Sequence, residues 1–191
     1  MAFGGKIPRR ITAKGRGGMA GEILRIAGFN AESVVDGPGL RFVIYAQGCP
    51  HRCPGCHNPE TWDAQGGHEV TLDDLWARVE KNPLLRGITF SGGEPFMQAR
   101  VCAILAARAR AAGLDVVTYT GYTWEQLLVM AEDDPDVRAL LTLSDYLIDG
   151  PYLAAQRSLS LPFRGSRNQR IIDVASSRAA GRVVELDFTG P

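Results

Sequence analysis

Short apolar runs alternate along the chain with stretches whose apolar positions recur at helical spacing. Residues 40–46, 87–91, 114–119 and 145–149 are dense in β-branched and aromatic residues and end in glycine or proline. That is the pattern of buried strands. Between and beyond them, residues 71–82, 97–112, 123–132 and 136–141 carry helical spacing. Thr71 with Asp74, and Thr123 with Gln126, stand at capping-box spacing, and Gly113 is placed to end the long helix rich in alanine and arginine. Ile23, Leu24, Ile26 and Ala27 predict a short edge strand. Residues 171–174 form a short apolar run behind a basic loop, and residues 181–188 read as a last strand. Repeated strand–helix alternation predicts an α/β fold with a mostly parallel sheet. The 191 residues have room for one domain with a sizeable core. They fall short of a complete eight-stranded barrel, which takes about 250 residues.

Composition changes this picture little: 45% hydrophobic and 22% charged residues are ordinary for a globular domain. Charge adds an asymmetry. Basic and acidic residues are equal at 21 each, yet Lys6, Arg9, Arg10, Lys14 and Arg16 all precede the first acid. Residues 1–20 therefore predict a basic, disordered extension on an acidic body, with residues 21–191 as a single domain. A basic tail is the only pointer to nucleic acid or a membrane, and neither is expected as a partner. No apolar run approaches the roughly 20 residues of a membrane span, and no secretory core is visible at the start.

The chemistry concentrates in Cys49-Pro50-His51-Arg52-Cys53-Pro54-Gly55-Cys56-His57-Asn58, at the end of the strand over residues 40–46. Parallel α/β folds place their sites at the carboxyl ends of strands. Three cysteines spaced Cys-x3-Cys-x2-Cys predict a metal site in a reducing compartment, hence the cytoplasm. Four thiolates would close a structural zinc or an electron-carrying cluster. Three leave one position of a [4Fe–4S] cluster open for a small molecule. Zinc with His51 or His57 as fourth ligand is the alternative from spacing alone. Cys102, within a helical pattern, reads as a small buried apolar residue.

Gly92-Gly93-Glu94 follows the strand over residues 87–91. Glycines permit close backbone approach and a carboxylate can receive an ammonium group, but an ordinary strand-to-helix turn has the same letters. Asp36-Gly37-Pro38-Gly39 is either a turn held by an Asx residue or an entrance to the site. Thr120-Gly121-Tyr122 and Asp149-Gly150 end strands on the same expected face. Arg164 to Arg170 form a basic loop that either binds something or pairs with nearby acids.

The cysteine loop is the hallmark of radical S-adenosylmethionine enzymes. Together with Asp36-Gly37-Pro38-Gly39-Leu40-Arg41, Gly48-Cys49 and Cys56-His57-Asn58-Pro59, it resembles the activating enzymes of glycyl-radical proteins. Thr120 to Glu125, Asp149-Gly150-Pro151-Tyr152 and Phe163 to Arg170 are similar to the anaerobic ribonucleoside-triphosphate reductase activating proteins. The resemblance spans roughly residues 22–175. It implies a shortened, incomplete (β/α) barrel, a [4Fe–4S] cluster on Cys49, Cys53 and Cys56, and S-adenosylmethionine as cosubstrate. Reductive cleavage of that molecule would lead to hydrogen abstraction from a glycine of the partner, with flavodoxin or ferredoxin as electron donor. It also implies cofactor contacts for Gly92, Gly93 and Glu94, the last at the methionyl amino group. His57 stands where the family usually has an aromatic residue beside the adenine, tyrosine in many reductase activators and histidine commonly in formate-lyase activators. Asn58, Thr120, Asp149, Asn168 and Arg170 are further candidates for the cofactor pocket. The rival functions are a radical enzyme for another glycyl-radical protein or for a small molecule such as a deazapurine precursor, an iron–sulfur electron carrier, and a zinc-binding module.

Overall fold

A computed structural model describes residues 21–188; the predicted basic extension, residues 1–20, lies outside them. Seven strands form one sheet: β1 (Ile23–Ser33), β2 (Arg41–Ala46), β3 (His68–Thr71), β4 (Gly87–Gly92), β5 (Asp115–Tyr119), β6 (Tyr146–Asp149) and β7 (Arg170–Asp173). Their order is β3-β1-β2-β4-β5-β6-β7. The centre, β2-β4-β5-β6, is parallel, and the flanking pairs are antiparallel. The result is a mixed α/β fold with a partial (β/α) barrel. Two sequence expectations are corrected at the first strand: β1 runs 11 residues rather than a few, and it is not an edge, because β3 pairs outside it.

Among the described residues five α-helices accompany the sheet: α1 (Leu72–Val79), α2 (Ala99–Ala111), α3 (Trp124–Asp133), α4 (Pro135–Leu143) and α5 (Val174–Ala180). Their starts follow local chemistry. The Thr71 hydroxyl accepts from the Asp74 N–H. Thr123 and Gln126 make the reciprocal capping box, satisfying donors that the first turn leaves unpaired. Asp134 caps α4, with Pro135 at its first position, where the missing N–H costs nothing. The helix expected from Met97 is preceded by a tighter 3-10 turn, Pro95–Gln98. The predicted last strand is not a regular one: Glu185 makes an isolated bridge to Ile172. Residues 174–180 instead form α5, capped by Asp173 and ended by Gly181 in the left-handed region.

Side-chain alternation gives the sheet two unlike faces. Phe42, Ile44, Ile88, Phe90, Val116 and Leu147 pack beneath the helices with Leu75, Leu105, Leu127 and Leu140. Cys102 sits in this core fully buried, and burial pushes its thiol well above the ordinary range. Val117, Ile148 and Ile171 form a smaller cluster on the other face with Tyr119, Tyr146, Phe163 and Phe188. That face also carries Arg41, which is fully buried. Its Nε donates to Thr89 Oγ1 at 2.6 Å, and its terminal nitrogens reach the carbonyls of Pro38 (3.0 Å) and Ile88 (2.6 Å). The Asp115 carboxylate pairs with it at 2.6 Å. Burial lowers the Arg41 pKa and Asp115 opposes the shift. Thr89 in turn donates to the Asp36 carbonyl at 2.9 Å. Arg41 and Thr89 thus fasten the turn over residues 36–39 to the sheet.

Candidate iron–sulfur and cofactor site

The cysteine loop leaves the end of β2 and is clamped from three sides. The N–H of Gly48 donates to the Thr61 carbonyl at 2.8 Å and that of Cys49 to the Trp62 carbonyl at 3.3 Å, after the chain turns through a 3-10 element, Pro59–Thr61. The Gln47 amide donates to the carbonyls of Glu60 and Asp63. From the neighbouring strand, the N–H of Gly93 donates to the Ala46 carbonyl and that of Glu94 to the Gly48 carbonyl, both at 2.8 Å. The Gly-Gly-Glu turn and the root of the cysteine loop are therefore one hydrogen-bonded unit. Within the loop, Arg52 and Gly55 have left-handed backbones, and the Asn58 N–H donates to Cys56 Sγ at 3.4 Å.

The glycines follow from this closeness. A Cβ at Gly92 would stand 2.6 Å from Tyr45 Cα, and at Gly93 2.3 Å from the Gly48 carbonyl oxygen. Neither neighbour is a flexible side-chain end. Gly93→Ala is expected to cost about 2 kcal/mol or more through overpacking and to displace the root of the cysteine loop. Melting curves and iron content after reconstitution would register both effects.

Cys49, Cys53, Cys56, His57, Asn58, Gly92, Gly93 and Thr120 all line one cavity of about 710 Å³, within the range of cofactor sites. Asp36 and Tyr45 line it too, as does the loop bearing Arg157 and Phe163. The His57 ring stands 4.9 Å from that of Tyr152, inclined at 47°. Burial pushes the Cys49 thiol up, a cost that a bound cation offsets by favouring the thiolate.

Four predicted site residues lie outside this lining. Glu94 is fully buried. Its Oε2 accepts from His51 Nε2 at 2.9 Å, Thr120 Oγ1 at 3.0 Å and the Gly121 N–H at 2.9 Å, and its Oε1 accepts from the Phe96 N–H at 3.1 Å. The carboxylate is thus occupied by the chain's own donors. Asp149 is buried and accepts from the Trp124 N–H at 2.8 Å. Arg170 bridges Asp149 at 2.5 Å and Glu125 at 2.9 Å; hydrogen bonding to Arg170 holds the Glu125 carboxyl down to about 2. Asn168 donates to the Pro151 carbonyl at 2.7 Å. These three brace the segments after β5 and β6 behind the cavity. Two residues not predicted as cofactor contacts line it as well: His51, by spacing a candidate zinc ligand, and Arg164, at the head of the basic loop, whose Nε is buried without a hydrogen-bond partner. Arg164 heads the basic segment, a signal that pointed to the loop but not to which arginine faces the cavity.

The donor set fits an iron–sulfur cluster. Three thiols share one short loop and one cavity, which the bare backbone of Gly92 and Gly93 and the Arg164 side chain also line. Among the described residues no three His, Cys, Asp or Glu side chains converge to hold a single ion. A [4Fe–4S] cube asks less of them, since each thiolate takes its own iron.

Comparison with known proteins agrees. The sequence model of the 4Fe-4S single cluster domain family matches residues 35–172. The anaerobic ribonucleoside-triphosphate reductase-activating protein of Vibrio cholerae is 36% identical over 146 residues, covering 72% of this chain and 90% of that protein. The chain belongs to the radical S-adenosylmethionine superfamily, in its 4Fe-4S single cluster domain family. The counterpart of the Vibrio protein in Escherichia coli K12 is 33% identical to this radical S-adenosylmethionine oxidoreductase, with 71% and 90% covered. The pyruvate formate-lyase 1-activating enzyme of E. coli K12 is 48% identical, but over 80 residues, 39% of this chain and 32% of that enzyme. QueE from E. coli overlaps 55% of each chain with a TM-score of 0.43 and 18% identity. No helix among the described residues is long and apolar enough to cross a membrane.

Proposed function

We propose that this chain activates an anaerobic ribonucleoside-triphosphate reductase by installing a glycyl radical on it. The observation that carries the reading is extent. The reductase activators align over 90% of their own length, whereas the formate-lyase activator shares only a segment. In this reading Cys49, Cys53 and Cys56 hold a [4Fe–4S] cluster as thiolates. When bound, the cluster supplies one electron to the sulfonium of S-adenosylmethionine, whose cleavage gives methionine and a hydrogen-abstracting 5′-deoxyadenosyl group. The chain's residues hold that molecule in place. Gly92 and Gly93 offer backbone at close range, Arg164 brings a positive charge to the wall that favours an anionic group, and His57 with Asn58 and Thr120 line the remaining wall. Glu94, Asp149, Asn168 and Arg170 support those residues rather than touching the ligand. The entrance is apolar: Val34, Val35 and Leu159 line the cavity and are exposed at 69%, 71% and 89%, a surface suited to a polypeptide loop. The electron comes from a flavodoxin or ferredoxin, and the setting is the cytoplasm.

A second reading, a formate-lyase activator, draws on His57 and on the local identity of 48%. Reconstituted protein, reductant and S-adenosylmethionine are mixed anaerobically with either glycyl-radical partner. A glycine-centred doublet in the EPR spectrum of the reductase is expected. A doublet on pyruvate formate-lyase alone reverses the order of the two readings. Absence of 5′-deoxyadenosine with a full cluster present rejects both.

A further inference from the structure

His51 stands two residues from Cys49 and two from Cys53, inside the first arm of the cysteine loop. Its imidazole is held on three sides. Nε2–H donates to Glu94 Oε2 at 2.9 Å. The Tyr122 ring meets it edge-on, with centroids 4.5 Å apart. Gly121 lies so close that an added Cβ would stand 2.3 Å from His51 Cδ2. The acceptor is not a casual one: Glu94 is fully buried and is fixed by donors from Thr120, Gly121 and Phe96 as well. A buried carboxylate so fixed is a rigid anchor, and charge-assisted bonds to it are stronger than neutral ones.

We propose that His51 is a positioning residue: it ties the Cys49–Cys53 arm to Glu94 and so presets where two of the three thiolates stand. The bond also couples the cysteine loop to the ends of β4 and β5, which carry the glycine turn and Thr120. The function of Glu94 here is to anchor the loop. This rests on the cluster reading of the three cysteines. Partners that orient metal ligands from behind typically change metal retention by about 10–100-fold when removed.

The test compares reconstituted wild type with His51→Leu, His51→Gln and Gly121→Ala, following anaerobic iron release to a chelator and the EPR spectrum of the reduced cluster. Glutamine places an amide N–H near the Nε2 position and is expected to release iron within about threefold of wild type, with the same spectrum. Leucine removes the donor, and alanine at residue 121 pushes the ring away from the other side. Each is expected to speed release by about 10-fold or more and to alter the g values. Wild-type release from His51→Leu overturns the inference, as does equal loss from His51→Gln and His51→Leu. If the wild type itself takes up no iron, the cluster reading fails instead.

Discussion

Alanine at Cys49, Cys53 or Cys56 is expected to lower bound iron from about four per chain to near zero after anaerobic reconstitution. Cleavage of S-adenosylmethionine should fall to background with it. Three thiolates are the fewest that hold the cluster while leaving one iron open, so no single loss is compensated by the other two. Cys102→Ala is the internal control. Its thiol is fully buried in the helix core and raised in pKa by that burial, so it cannot stand in as a thiolate. That variant is expected to keep its iron and to lose about 1 kcal/mol of stability from the small void it opens. A Cys102→Ala protein that failed to load iron would mean that the assignment of ligands is wrong.

Arg41→Ala is expected to cost about 3–5 kcal/mol, the range for stripping one partner from a buried ion pair. Against a typical total of about 5–15 kcal/mol, the melting temperature should fall by about 10 °C or more. The cost has identifiable parts. Asp115 loses its buried guanidinium, and Thr89 Oγ1 with the carbonyls of Pro38 and Ile88 loses its donor. Lysine should rescue little, because one ammonium cannot reproduce a planar fork spread over four acceptors. The variant should also free the turn over residues 36–39 and hence the apolar entrance beside it, which limited proteolysis would detect. Near-wild-type melting of Arg41→Ala would contradict this account.

The parallel centre of the sheet was legible because β2, β4, β5 and β6 are dense apolar runs that end where glycine or proline interrupts them. Caps at Thr71 and Thr123 were legible because capping is local chemistry. β3 was not, since His68-Glu69-Val70-Thr71 contains one apolar residue and is a strand only because β1 offers it an edge. α5 was hidden by Ser176, Ser177 and Arg178, and the irregular path of residues 182–188 was mistaken for a strand because Val183, Val184 and Leu186 have strand-like content. At the site, the cysteine spacing pointed to a metal loop, and the family resemblance to a cluster on it. The partition of polar residues did not. Glu94, Asp149 and Arg170 are chemically suited to a ligand, yet they spend their hydrogen bonds on the chain itself. Only three-dimensional proximity reveals that, just as only proximity reveals His51 beside Glu94.

An incomplete barrel has two sheet margins that a closed one lacks, and each is a row of unpaired backbone groups open to pairing with another chain. On one side the outermost strand is β3, four residues long, with the exposed Glu69 carboxylate paired to Arg25 across the strand pair. On the other, β7 is covered by residues 184–186, which bond to it through Val184 and Leu186 without forming a regular ladder. A short charged strand and an irregular cover are poor templates for edge-to-edge association. Among the described residues, neither margin of the sheet therefore offers a long, regular ladder to a second copy of the chain.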